Sequence, residues 1–206
     1  MLKSKLLHSC YLILLFKACI FSSFRERDHI SSILVFADVL KELLQAFPSL
    51  AMTTNSVNAT ALDTAATQGH IDIVNLLLET DASLARIARN NGKTVLHSAA
   101  RMGHVEVVTA LLNKDPGIGF RTDKKGQTAL HMASKGQNAE ILLELLKPDV
   151  SVIHVEDGKG NRPLHVATRK GNTIVSDIIS ECSDFCRGLS LPVLHFNNQM
   201  FCCIYG

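Results

Sequence analysis

Residues 94–112 of the 206-residue chain, TVLHSAARMGHVEVVTALL, recur in recognisable form once before this point and twice after it. A shared leucine marks a constant spacing of 34 residues, at Leu62, Leu96, Leu130 and Leu164. Three glycines keep the same interval, at Gly92, Gly126 and Gly160. Repeats of about 20–50 residues are typical of solenoid proteins, in which each unit packs against its neighbours.

The residue pattern of each unit predicts two short helices and an extended loop. The first helix is expected to begin at a threonine, whose hydroxyl can accept an N–H that the helix leaves unpaired, and to end just before Gly69-His70 or its equivalent. The second helix is expected to open with an acidic residue that complements the helix dipole. These acids are Asp38, Asp72, Glu106 and Glu140. The apolar pairs that follow form a stripe that only neighbouring repeats can bury.

The composition excludes several classes of protein. Hydrophobic residues make up 47% and charged residues 19%, which is enough apolar material for a core. A net charge of +2 does not favour a strongly basic nucleic-acid binder. No cysteine lies between Cys19 and Cys182, so a secreted disulfide scaffold is not expected. The terminal cysteines Cys182, Cys186, Cys202 and Cys203 with His195 match no strong zinc template, and we expect no metal site.

Segment 94–112 resembles the ankyrin repeat at nearly every signature position. Asp63 departs from it by replacing the usual histidine, Gln137 replaces a glycine, and only the fourth repeat carries the proline, Pro163. The resemblance covers about residues 38–175 and implies an all-α, ankyrin-repeat solenoid of helix-turn-helix units with extended hairpin loops. The expected divisions are an irregular apolar tail at 1–37, a partial repeat at 38–57, repeats at 58–91, 92–125 and 126–159, a truncated repeat at 160–180 and a non-repeat cysteine-containing tail at 181–206.

The long connection before Gly92 and the sequence KGNRPLH at 159–165 are similar to plant ankyrin membrane proteins of the PGG-domain type. That resemblance implies a bundle of transmembrane helices after the array and a role in stress or defence signalling. The periodic pattern fails after Val175, so we expect a truncated isoform that lacks this bundle. Both array ends are then expected to expose apolar faces, near Val39-Leu40 and Ile174-Val175.

The N-terminal tail carries Lys3 and Lys5 before an apolar stretch at 6–21. A membrane-spanning helix needs about 20 apolar residues, and Lys17 interrupts this stretch. No small-residue cleavage site follows. We therefore expect an apolar tail that covers the array end, with a signal peptide and a membrane anchor as alternatives. The expected location is cytoplasmic, including the cytosolic face of the plasma membrane.

The histidines do not predict a metal or catalytic site. His97, His131 and His165 lie one repeat apart, and helices packed about 8–10 Å apart cannot bring them to one zinc ion, whose ligands lie about 2.0–2.1 Å away. The resemblance implies that they hydrogen-bond the neighbouring loop. The other signature residues are Thr94, Leu96, Thr128, Leu130 and Leu164. No phosphate loop or nucleophile motif is found, so we expect no enzymatic activity and no cofactor.

A set of basic residues forms the candidate partner-binding site. Arg101, Lys135 and Arg169 share one register on the first helices, and the other members are Arg89, Lys124, Lys125, Lys159 and Lys170. The first helices and loop tips form the concave face of ankyrin arrays, so the resemblance implies that these charges line one groove. A solvated face without a partner is one interpretation and an acidic protein partner is another. Nucleic acid or an anionic lipid is the third. Nucleic acid is disfavoured because no aromatic residues interleave with the charges.

The sequence as a whole predicts a protein–protein interaction module, acting as an adaptor in plant stress or defence signalling. A membrane-tethered signalling component, anchored by its apolar N-terminus, is the alternative.

Overall fold

The computed structural model describes residues 40–136, 138–173, 177 and 178. The α-helices in this part of the chain are α1 (Ala61–Gln68), α2 (Ile71–Thr80), α3 (Val95–Met102), α4 (Val105–Lys114), α5 (Ala129–Ala133), α6 (Ala139–Leu146) and α7 (Pro163–Arg169). A further helical segment at 40–46 precedes them. Short 3-10 helices lead from each second helix towards the next loop, at Pro48–Met52, Ala82–Arg86, Pro116–Phe120 and Val150–His154. The architecture is the predicted all-α solenoid.

The helices begin where the sequence predicts. Thr60 Oγ1 accepts a hydrogen bond of 3.2 Å from Asp63 N at the start of α1. Thr94 and Thr128 are the N-caps of α3 and α5. In the first and second repeats, the first helix ends at a glycine in the left-handed conformation. The φ angle is 81° at Gly69 and 94° at Gly103. Acidic residues occupy the first turn of each second helix, α2, α4 and α6, while Asp38 lies outside the described residues.

The first helix of the third repeat is shorter than predicted. α5 ends at Ala133, whereas α3 continues to Met102. Gly136 stands at the register of Met102, and Gln137, which is outside the described residues, stands at the register of Gly103. Glycine weakens a helix interior, and the glycine that could adopt the left-handed cap is displaced by one position. The repeat therefore loses the last turn of its first helix.

Stacking of the repeats buries the apolar stripe. α3 packs between α1 and α5, and α4 packs between α2 and α6. Leu62, Leu96 and Leu130 are fully buried, and burying a leucine stabilises a fold by about 1.5–3 kcal/mol. Leu164, in α7, is half-buried and packs against the same core.

The N-terminal end of the described array differs from the expectation. Leu40 is 1% exposed and belongs to the hydrophobic core, so the prediction of an exposed apolar face is wrong at this residue. The side chain of Leu40 is buried because it belongs to the same hydrophobic cluster as Leu44 and Leu50. Val39 and the segment 174–175 lie outside the described residues.

The extended loops stack through backbone hydrogen bonds. Three such bonds join successive loops: Asn90 N donates to Val57 O at 3.0 Å, Lys124 N to Asn91 O at 3.0 Å, and Gly158 N to Lys125 O at 2.8 Å. Gly126 adopts φ of 73°, and a Cβ there would lie 2.7 Å from the nitrogen of Gly158. Glycine at this register therefore permits both the turn and the close approach of the next loop.

Candidate binding site on the loops and first helices

A cavity of about 440 Å³ opens where α3 and α5 meet the loops. Its lining residues are Lys93, Arg101, Asp123, Lys125, Gln127, Met132, Lys135, Gly136 and Lys170. Gly136, which follows the early end of α5, is one of the lining residues. We call this space the first cavity.

A second cavity of about 650 Å³ continues from the first and shares Lys125, Gln127 and Lys135 with it. Its lining residues are Lys124, Lys125, Gln127, Lys135, Asp157, Gly158, Lys159, Asn161 and Arg169. The two cavities together are called the basic groove. The groove contains every residue of the candidate partner-binding site except Arg89.

The cations in the first cavity act on one another. Partial burial and the charge of Arg101 lower the pKa of Lys93, an effect that Asp123 partly offsets. Partial burial and the charge of Lys93 likewise lower the pKa of Lys135. Lys125 acts in the same direction on both lysines. An anion in this cavity would relieve the repulsion that these shifts report.

The carboxylates of the groove are held by the loops themselves. Asp123 Oδ1 accepts hydrogen bonds from the backbone N–H groups of Lys125, at 2.8 Å, and Gln127, at 3.0 Å. Asp157 makes the same turn one repeat later, accepting from Lys159 N and Asn161 N at 2.9 Å. Burial alone would raise the pKa of Asp157, but these hydrogen bonds hold it below its ordinary value.

Gln127 positions Lys135 at the boundary between the two cavities. Gln127 Nε2 donates to Asp157 Oδ2 at 3.1 Å, which leaves its Oε1 to accept from Lys135 Nζ at 2.8 Å. The sulfur of Met132 lies 3.6 Å from the same ammonium. Because an ammonium carries three donors, Lys135 is oriented without being fully satisfied by the protein.

Arg89 has a different role from the other candidate residues. Its guanidinium pairs with the buried carboxylate of Asp63, and its Nη2 donates to Thr67 Oγ1 at 3.2 Å. Ser98 Oγ donates to the other oxygen of Asp63 at 3.0 Å. Arg89 therefore ties the loop that carries it to α1, while Ser98 of the second repeat contacts the same carboxylate. Arg89 lines neither cavity of the groove.

The histidines that recur every 34 residues lie at the contacts between repeats. Nδ1 of His97 accepts from Thr94 N at 3.2 Å, and its Nε2 lies 2.9 Å from Gln127 O in the next loop. His131 makes the equivalent contact with Asn161 O at 3.0 Å. Burial lowers the pKa of both histidines, so the neutral ring, donating from Nε2, is the form that fits. His165 is exposed, and its Nδ1 accepts from Arg162 N at 3.0 Å.

Sequence reasoning missed Lys93 as a lining residue. The equivalent positions in the next two repeats are Gln127 and Asn161, so a search for basic residues that recur every 34 positions passes over it. The signal that could have found it is local. Lys93 directly follows the turn glycine Gly92, at the loop tip where the other candidate bases cluster.

No group of histidine, cysteine and acidic side chains suited to a metal ion occurs among the described residues. The terminal cysteines and His195 lie outside them. The part of the chain that the structure describes also contains no helix long and apolar enough to cross a membrane, and the apolar stretch at 6–21 is outside it.

A family model for ankyrin repeats, comprising three copies, matches residues 33–121 and 116–186. A search of curated proteins finds no match to the chain. Since the matched residues make up most of the sequence and the fold agrees, the chain belongs to the ankyrin-repeat family. Proteins of this family generally act as protein–protein interaction modules.

Proposed function

We propose that this chain is a non-enzymatic adaptor that holds an acidic protein partner in the basic groove. The observation that carries the proposal is the convergence of bases from three repeats on two adjoining cavities. Lys125 and Lys135 contribute to both cavities, so a single extended ligand can contact the whole groove.

The charges of the groove are free to meet a partner. Among the described residues, none of Arg101, Lys125 and Arg169 belongs to an ion pair. Unpaired exposed bases steer an acidic partner towards the surface and accelerate association. The fold does not require a base at this register, because the first repeat has Thr67 there.

The test is a triple change, Arg101→Gln, Lys135→Gln and Arg169→Gln, in the full chain. We expect the free energy of unfolding to change by less than about 0.5 kcal/mol for each exposed site. Partner capture in pull-downs should fall sharply. Capture by the unmodified chain should also weaken as salt rises above about 0.15 M, where charges more than about 8 Å apart are screened.

A matched control changes the same net charge elsewhere. Lys41, Lys114 and Arg121 are exposed and line neither cavity, so replacing all three by glutamine should leave capture intact. An identical set of captured proteins for the groove triple variant and the unmodified chain would contradict the proposal and favour a solvated face.

A membrane-tethered signalling component is the second candidate. It is favoured by Lys3 and Lys5 preceding the apolar stretch at 6–21, and by the resemblance to plant PGG-type ankyrin membrane proteins, which also suggests stress or defence signalling. Its test is cell fractionation with a carbonate wash. A tethered chain stays in the pellet, and deletion of residues 1–37 moves it to the supernatant. A chain found in the supernatant before deletion contradicts this candidate and agrees with a cytoplasmic location.

A further inference from the structure

The first cavity of the basic groove concentrates positive charge in a small volume. Five bases and one carboxylate line about 440 Å³: Lys93, Arg101, Lys125, Lys135 and Lys170, with Asp123. Four segments supply the first four bases: the loop before α3, α3 itself, the loop before α5 and the turn after α5. These bases therefore surround one cavity, whereas a solvated face would spread them over an open surface.

Asp123 offsets this charge only in part, since one carboxylate stands against five bases. Its Oδ1 already accepts two backbone N–H groups of its own loop, at 2.8 and 3.0 Å. No ion pair within the described ranges holds any of the five bases. Partial burial, followed by repulsion from the neighbouring bases, lowers the pKa of both Lys93 and Lys135.

We infer that the first cavity binds a phosphate monoester, carried as a phosphorylated serine or threonine of the protein partner. A phosphorylated side chain has a charge of about −1.5 to −2 at pH 7 and three strong acceptor oxygens. An aspartate or glutamate brings one charge and two oxygens. The phosphate group matches a cavity in which one guanidinium and several ammonium groups converge.

The second cavity indicates that the phosphate belongs to a peptide. It continues from the first through Lys125 and Lys135 and adds Lys159 and Arg169. A free phosphate would occupy the first cavity alone, whereas a peptide can place its phosphorylated residue there and extend acidic neighbours into the second. This inference rests on the proposed function, because the same groove receives the partner.

The first experiment measures binding of small probes to the full chain by amide NMR. The probes are N-acetyl-phosphoserine methylamide, its unphosphorylated serine equivalent and N-acetyl-aspartate methylamide. We expect the phosphoserine probe to shift the amides of Lys93 and Lys125 and to bind roughly ten-fold more tightly than the aspartate probe, because it adds charge-assisted hydrogen bonds. Equal affinity for the two probes would overturn the inference and leave the acidic-partner proposal intact.

Variants locate the site. Lys93→Gln should weaken phosphoserine binding roughly ten-fold, since a hydrogen bond to a charged group contributes about that factor. Lys114→Gln removes an exposed base outside both cavities and should leave binding unchanged. The amide spectra of both variants must match the unmodified chain away from the substituted residue. An equal effect of the two substitutions would contradict the site.

The second experiment distinguishes the sources of the phosphate. Peptides with a central phosphoserine and acidic flanks should bind more tightly than inorganic phosphate, and more tightly than a short single-stranded RNA. Tighter binding of either competitor would overturn the peptide assignment. Phosphatase treatment of a lysate should abolish groove-dependent capture, and unchanged capture would overturn the inference alone. Phosphopeptide binding without any groove-dependent capture would contradict only the adaptor proposal.

Discussion

Asp63 and Arg89 show how two neighbouring registers change together. In the second and third repeats a histidine precedes a loop aspartate, as in His97 with Asp123. In the first repeat the histidine register holds Asp63, and the loop register that follows it holds Arg89. The acidic member has moved from the loop to the helix, and the arginine replaces it in the loop. The first repeat thus has a charged pair, Asp63 with Arg89, where the next two repeats have a neutral histidine that bonds a loop carbonyl.

Removing Asp63 should cost stability. Its carboxylate is buried and paired with both Arg89 and Ser98. We expect Asp63→Ala to lower the free energy of unfolding by about 1–3 kcal/mol, because it leaves the partly buried guanidinium without its partner. Urea denaturation measures the change. Arg86→Ala is the control, since it breaks only the exposed pair with Asp115 and should leave the midpoint unchanged. Equal losses in the free energy of unfolding for Asp63→Ala and Arg86→Ala would show that the contacts of Asp63 do not stabilise the fold.

His97 and His131 should make the array sensitive to mild acid. Burial lowers the pKa of each histidine in the folded chain. Below about pH 6.5, the unfolded chain takes up protons that the folded chain does not, so stability is complete above this pH and falls below it. The expected slope is at most about 1.4 kcal/mol per pH unit for each histidine.

Denaturation curves between about pH 7.5 and 5 measure this slope, in a range above the titration of ordinary carboxylates. Asp123 and Lys93 face His97, while Asp157 and Lys135 face His131. His97→Gln should make the slope shallower whatever its effect on stability at pH 7.5. His154→Gln changes an exposed histidine and should leave the slope as it was. His131→Gln should act in the same way, while His70, whose pKa burial also lowers, keeps part of the slope. A slope that the double variant His97→Gln, His131→Gln leaves unchanged would contradict the assignment.

At the scale of the elements, the loops are held in a stack by one backbone hydrogen bond for each neighbouring pair. Gly126 and Gly160 share φ of 73°, but only a Cβ at Gly126 would meet the next loop, at 2.7 Å from Gly158 N. Comparing alanine substitutions at these two glycines therefore separates the cost of the left-handed conformation from the cost of a clash with the next loop.

Gly160→Ala should destabilise the array by about 1–2 kcal/mol, the cost of a left-handed alanine. Gly126→Ala should cost more, because the backbone of the next loop must also move. Calorimetry of the two variants compares them directly. A smaller loss for Gly126→Ala than for Gly160→Ala would show that the loops do not pack as closely as the structure has them.

The start of each element follows from the sequence more closely than its end. A threonine N-cap depends on the residues beside it, and a buried leucine depends on the neighbouring repeat. The sequence therefore predicts both the helix start at Thr94 and the burial of Leu96. The early end of α5 depends on how Gly136 and the displaced cap balance against packing. Lys93 has no base at its register in the next two repeats, so the 34-residue period does not predict its place in the first cavity. The role of Arg89 could not be predicted from periodicity, because its partner, Asp63, lies 26 residues away and has no acidic equivalent in the other repeats.

On the scale of the whole molecule, repeats are stable only as neighbours. Leu111 lies fully buried in α4, between α2 and α6. Leu111→Ala should lower the free energy of unfolding by about 2–5 kcal/mol, the usual range for a buried leucine that leaves a cavity.

Nearest-neighbour coupling should spread this loss into the repeats on either side. Native-state hydrogen exchange should therefore show reduced protection in α2 and α6 as well as in α4. Asn113→Ala is a suitable control because Asn113 is exposed on the same helix. A loss below about 0.5 kcal/mol for Leu111→Ala, the ordinary range for surface changes, would contradict the assigned register.

Repeats that look alike could fold onto the wrong neighbour, either within one chain or by exchange between two chains. If α1 docked onto the third repeat, Asp63 would meet Asp123 and Met132 at the registers of Arg89 and Ser98. A buried carboxylate would then face a second carboxylate and a thioether, with neither the cation nor the hydroxyl that satisfies it in the native stack. The contacts of Asp63 with Arg89 and Ser98 therefore favour the native junction between the first two repeats over this misplaced one.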